Sequence, residues 1–159
     1  MSLDTLHSII SGVRVAMITT HDSTGALTSR PLTTLDTEVS GNAWFLTAAD
    51  SDFAREIDID PLVNVAWAGS DQWASVAGRA SIVDDQAKKA ELWNDFVEAW
   101  FPDGTTDPGV VLVKVEGDSA QYWDSPGKAA SLLDMVKARL TGTQAGDVGD
   151  SGTIDLDPH

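Results

Sequence analysis

The spacing of apolar and polar positions divides the chain into short elements. Leu3, Leu6, Ile9 and Ile10 recur at helical spacing and predict a first helix, ended by Gly12. Apart from Arg14, residues 13–20 are β-branched or apolar. His21, Asp22, Ser23, Thr24 and Gly25 then supply turn chemistry before Leu27 resumes an extended pattern, which reads as a hairpin. A second turn at Ser40, Gly41 and Asn42 leads into Ala43, Trp44, Phe45, Leu46 and Thr47, a compact apolar run that predicts a buried strand. Ser51 is placed to cap a short helix through Ala54, Arg55 and Ile57. Asp60 before Pro61 closes that helix, because proline disfavours a helical predecessor.

In the second half Val63, Val65 and Trp67 alternate with Asn64 and Ala66, and Gly69, Ser70 and Asp71 connect this strand to a longer one over residues 72–83. Gly78 inside that strand predicts a bulge or a close backbone approach. From 85 to 100 the period becomes helical, with Ala90, Trp93, Phe96, Val97 and Trp100 on one face, until Pro102, Asp103 and Gly104 stop it. Val111, Val113 and Val115 form another alternating strand. A turn at Gly117 and Asp118 separates it from a short strand containing Ala120, Tyr122 and Trp123. A last helix is expected over 128–141, with Leu132, Leu133, Val136 and Leu140 along one side, and residues 143–159 read as an acidic mobile tail.

Strands separated by short turns, with helices at only a few places, argue against a doubly wound sheet, in which strand and helix alternate regularly. The fold class expected is mainly β with helices (α+β), as a small antiparallel barrel. At 159 residues the chain suits one domain with a sizeable core, expected over 1–142.

Charge narrows the partners. The 25 acidic against 10 basic residues give a net charge of −15, which repels a phosphate backbone and an anionic membrane surface, so neither nucleic acid nor membrane is expected as a partner. An anionic ligand would have to find one of those few cations. There are no cysteines, which removes disulfides, thiolate catalysis, Cys-ligated zinc and iron–sulfur clusters and, with a first segment lacking a basic n-region, points to a cytoplasmic home.

Common motifs are missing too. His7, His21 and His159 are scattered, not four apart as in a metalloprotease helix, so no metal site is expected. Gly127 and Lys128 lack the rest of a phosphate loop, with Ala129 where its hydroxyl belongs. Asp147, Asp150, Asp155 and Asp157 miss the calcium-loop spacing, and no Gly-x-Ser-x-Gly elbow is present. The tryptophans read first as core or dimer-interface packing residues, Trp93 and Trp100 especially; Trp44, Trp67, Trp73 and Trp123 stay open as either packing residues or ligand platform.

Several segments, in order, carry a resemblance: Met17 to Thr20 before a Gly-containing turn; Ser29, Arg30, Pro31 and Leu32; Gly41 to Thr47; Val76 to Ala80; Trp100, Phe101, Pro102, Asp103 and Gly104; Ala120 to Asp124; and Leu140, Thr141 and Gly142. Together they resemble the general stress protein branch of the pyridoxamine 5'-phosphate oxidase-like family of FMN-binding split β-barrels. The resemblance implies an antiparallel split β-barrel and a homodimer holding FMN in clefts at the subunit interface, with FAD or deazaflavin F420 as alternative cofactors. It implies a flavin-dependent oxidoreductase or, alternatively, a flavin-binding stress protein without turnover; no catalytic residue is singled out. By similarity Arg30 meets the flavin phosphate, Pro31 and Leu32 line the ring, Phe45, Leu46 and Thr47 face the ring and ribityl chain, and Ser51 offers hydroxyl and amide to the phosphate. One position departs from the family's pattern. Where a Lys commonly stands two residues after the capping Ser, this chain has Phe53, and Arg55, on the same helical face as Ser51, is read as the replacement charge.

Overall fold

The computed structural model describes residues 2–125, 135–137, 139–142 and 150–156. Helix α1 (Leu3–Gly12) is capped by Ser2, whose hydroxyl accepts from the Thr5 amide at 3.2 Å, and it buries Leu6, Ile9 and Ile10 as its spacing predicts. β1 (Val15–His21) and β2 (Leu27–Thr33) form the expected hairpin, in register from Val15 opposite Thr33 to His21 opposite Leu27. Asp22 shapes its turn. Its carboxylate accepts from the Thr24 hydroxyl and from the amides of Thr24 and Ala26, which holds its pKa below the ordinary aspartate value.

β3 (Asp36–Thr37) turns into β4 (Ala43–Ala48), and Glu38 ties that turn together by accepting from Ser40, Asn42 and the indole of Trp44. Burial works to raise the Glu38 pKa; these bonds and the nearby Lys114 outweigh it and keep the group below its ordinary value. Helix α2 (Asp52–Ile59) follows, capped by Ser51, and β5 (Leu62–Ala68) and β6 (Gln72–Val83) form a second hairpin. Two short helices, α3 (Gln86–Leu92) and α4 (Asp95–Trp100), precede the long β7 (Val110–Asp124), and β8 (Asp150–Asp155) closes the described chain.

All the pairings are antiparallel, in the order β2-β1-β5-β6-β7-β4-β3, and the sheet curls into a half-barrel whose end strands are not paired to each other. The free side of β7 is shared between β4, along Val110–Val115, and β8, along Ser119–Asp124. The main core gathers Ile18, Phe45, Val65, Trp67, Val76, Val113 and Tyr122 with Leu6, Ile9 and Ile10 of α1 and Phe53 and Ile57 of α2. A smaller apolar layer of Trp44, Leu92 and Leu112 lies where α3 covers the sheet.

Four expectations need correction. First, no turn interrupts β7 at Gly117 and Asp118. The strand runs through, with a bulge where Gly78 faces Gly117 and Ala77 faces Ser119, so that Asp118 is the extra residue. One extra residue reverses the alternation: Val113 and Val115 are buried before it, Ala120 and Tyr122 after it. Second, the helical period over 85–100 belongs to two helices, because the Asn94 side chain accepts from the Val97 amide at 2.9 Å and starts a new N-terminus. Third, the tail reading fails over Asp150–Asp155. Ile154 and Leu156 pack on the core, and a Leu156 methyl occupies the space that a Cβ on Gly41 or Gly117 would need. Fourth, Trp100 is 71% exposed, so within a single chain it is no core residue. Most of the helix expected over 128–141 lies outside the described residues.

Lys89 is the one buried Lys among the described residues. Its ammonium donates to the carbonyls of Asp107 at 3.0 Å and Val110 at 2.7 Å and so fastens α3 to the loop that enters β7.

Candidate functional site

The two ends of the half-barrel frame the cleft that matters. β2 is the first strand of the sheet, and β4 is covered on its outer edge by β3 only at Ala43 and Trp44. Trp44 turns its carbonyl toward that edge and accepts from the Leu35 amide at 3.0 Å. Because strand amides alternate sides, the N–H and C=O of Leu46, two residues on, point to the same edge, past the end of β3. Leu46 therefore offers a donor and an acceptor with no neighbouring strand.

A cavity of about 270 Å³ lies in this gap. Pro31, Leu32 and Thr33 of β2 line one side of it, Leu46, Thr47 and Ala48 of β4 another, and Phe96, Val97 and Trp100 of α4 face them. Of the residues named from sequence, Pro31, Leu32, Leu46 and Thr47 come together on its wall. Phe45 does not. It is fully buried on the opposite side of β4, in the main core, as strand alternation demands once Leu46 faces outward.

Ser51 does not line the cavity but stands behind its wall, next to Thr47. Its hydroxyl accepts from the Ala54 amide at 3.1 Å as the cap of α2 and lies 3.1 Å from the Thr47 hydroxyl, which ties the helix N-terminus to the cavity wall. Arg30 stands beside Pro31 but is turned under α2. One of its terminal nitrogens donates to Thr20 Oγ1 at 2.7 Å and the other to Glu56 Oε2 at 2.7 Å, while Thr20 donates to the same oxygen at 2.6 Å. The guanidinium also lies 5.3 Å from the centre of the Phe53 ring, a cation–π contact. Phe53, at the position where the family pattern has Lys, is thus a core residue. Arg55 is exposed and bound to Asp52 and to the Asp50 carbonyl, beside the start of α2.

Sequence reasoning missed the α4 wall. Arg14 lies 4.6 Å from the Phe96 ring centre, and Phe96 and Trp100 meet at 6.4 Å, so an aromatic pair stands at the mouth of the cleft with both members exposed. The signal was present as Trp100, Phe101 and Pro102, but its helical period was read as packing. Among the described residues no group of His, Cys, Asp or Glu is arranged to hold a metal ion, and no helix is long and apolar enough to cross a membrane.

The chain has known relatives. Protein bli-3 of Neurospora crassa is 32% identical over 156 residues, covering 90% of this chain and 75% of its own length. A crystal structure described as a general stress protein 26 from Jannaschia sp. CCS1 is 26% identical with a TM-score of 0.79, covering 96% of this chain and 98% of that one. The general stress FMN/FAD binding protein of Xanthomonas citri is 27% identical with a TM-score of 0.69, over 79% of this chain and 90% of that one. A family model, pyridoxamine 5'-phosphate oxidase like, matches residues 2–146. Sheet order, the gap between the end strands and these matches agree: the chain belongs to the pyridoxamine 5'-phosphate oxidase-like family.

Proposed function

We propose that this chain binds a flavin, FMN, in the cleft between β2 and β4 and acts as a flavin-dependent oxidoreductase on a small molecule. The observation that carries the reading is the meeting of Pro31, Leu32, Leu46 and Thr47 on one cavity at the unpaired edges of the sheet. Apolar walls with a few fixed polar groups suit a flat, largely apolar ring. The free backbone N–H and C=O of Leu46 would meet the donor and acceptor edge of that ring, with Pro31 and Leu32 along its flank and Phe96 and Trp100 screening it from water. Ser51, at the N-terminus of α2, and Arg30 would serve its phosphate. The bound flavin supplies the electron- and hydride-transfer chemistry, so no acid–base pair is required of the protein. The family match and the FMN/FAD binding relative from Xanthomonas citri support the same cofactor class.

A second copy of the chain is the partner this reading implies. Val15, Met17, Trp73 and Trp123 are exposed on sheet strands, and Trp73 pairs directly with Trp123 across β6 and β7. Such an apolar sheet face suits an isologous contact. Sedimentation of the purified protein is expected to give twice the chain mass, and a Trp123→Glu variant the mass of a single chain.

The function itself is tested by titrating the untagged protein with FMN and following the flavin absorption bands, then supplying reduced nicotinamide with an artificial acceptor. Saturable binding with turnover is the expected result. Binding without turnover would leave a flavin-binding stress protein, and no binding would overturn the cleft assignment.

A further inference from the structure

Arg30, Thr20 and Glu56 form a closed set. Arg30 gives Thr20 and Glu56 one hydrogen bond each from its two terminal nitrogens, and the Thr20 hydroxyl donates to the same Glu56 oxygen. The Arg30 and Glu56 side chains are only 21% and 14% exposed, and Thr20 is buried, so the pair is sheltered from the salt and water that weaken surface ion pairs. The fork that would grip a phosphate is therefore already gripping a carboxylate. Among the described residues, the two positions beside the start of α2 supply no free positive charge. Phe53 is an apolar core residue, and Arg55 is bound to Asp52 at the exposed start of α2.

We propose that Glu56 is a resident counter-anion that sets the cofactor preference of the cleft. By pairing with Arg30 it makes the phosphate end electrically neutral, so that the flavin ring carries most of the affinity and the phosphate adds little. The inference rests on the flavin reading of the cleft and specifies which flavin it favours. A phosphomonoester carries nearly two negative charges at neutral pH, and to reach Arg30 it must displace or share the Glu56 contact. Each alternative costs part of what the phosphate gains. A flavin with a neutral tail, such as riboflavin, avoids that cost. The site would thus hold phosphorylated and unphosphorylated flavins with similar strength.

The test compares riboflavin and FMN, each titrated into the wild-type protein and into Glu56→Gln by quenching of flavin fluorescence, with melting temperature followed alongside. The wild type is expected to bind the two flavins within about threefold of each other. Glu56→Gln, which keeps the side chain's shape and drops its charge, is expected to strengthen FMN roughly tenfold, as for loss of one sheltered charge contact, and to leave riboflavin within about twofold. A wild-type preference for FMN of about a hundredfold or more would overturn the proposal, and that measurement needs no variant. So would a selective loss of FMN affinity in Glu56→Gln, which would make Glu56 a brace that presents Arg30 to the phosphate. Failure of both flavins to bind would refute the cleft reading itself, and this inference with it.

Discussion

Gly78→Ala is expected to destabilise the protein by roughly 3 kcal/mol, at the upper end of overpacking costs. A Cβ on Gly78 would sit 2.0 Å from the Glu116 carbonyl oxygen and 2.9 Å from its carbon, and both are backbone atoms that no rotamer change can move. Relief would require β6 and β7 to separate at the bulge, where the extra Asp118 switches which residues of β7 enter the core. Separation there would disturb Val76, Val113, Val115, Ala120 and Tyr122 together. Denaturant unfolding followed by tryptophan fluorescence should show the loss as a lower midpoint; a change under about 1 kcal/mol, the lower bound of overpacking costs, would mean the bulge carries no such constraint.

Arg30→Ala has two expected effects that separate stability from binding. Glu56 and the Thr20 hydroxyl lose their shared cation, and leaving a largely buried carboxylate without its counter-charge should cost about 2 kcal/mol of folding stability. The uncompensated Glu56 would then face the flavin phosphate, so FMN affinity should fall roughly thirtyfold while riboflavin affinity changes little. Arg30→Ala combined with Glu56→Gln should recover most of the FMN affinity, because the two charges are removed together. Recovery in the double variant marks coupled charges, and equal losses in the single and double variants would mean that they act independently.

Much of the architecture was legible because it is local. The alternation of Val63, Val65 and Trp67, the run from Ala43 to Thr47 and the glycine at 78 each express a period or a steric need within a few residues. The bulge at Asp118 was misread as a turn because one inserted residue breaks period-two alternation just as a loop would. β8 was not legible at all: a short Gly- and Asp-rich stretch has weak strand propensity and is held by pairing with the distant β7 and by Leu156 lying over Gly41 and Gly117.

The candidate site was half legible for the same reason. The resemblance, not strand position, brought Pro31, Leu32, Leu46 and Thr47 to one cleft. What Arg30 grips is decided by Glu56, 26 residues away on another element, which no local pattern reveals. The wall made by Phe96 and Trp100 escaped notice because the break at Asn94 redirects the helix without disturbing its apolar period. Exposure of the aromatics, not their spacing, marks them as part of a site.

The most direct test is amide chemical-shift mapping of the ¹⁵N-labelled protein with added riboflavin or FMN. The largest changes are predicted at Leu46 and Ala48, at Leu32 and Thr33, and at the Trp100 indole, all on the cavity between the end strands. Changes centred instead on the pocket formed by Asp84, Asp85, Lys89 and Pro108, or no changes at all, would contradict the assignment of this cleft.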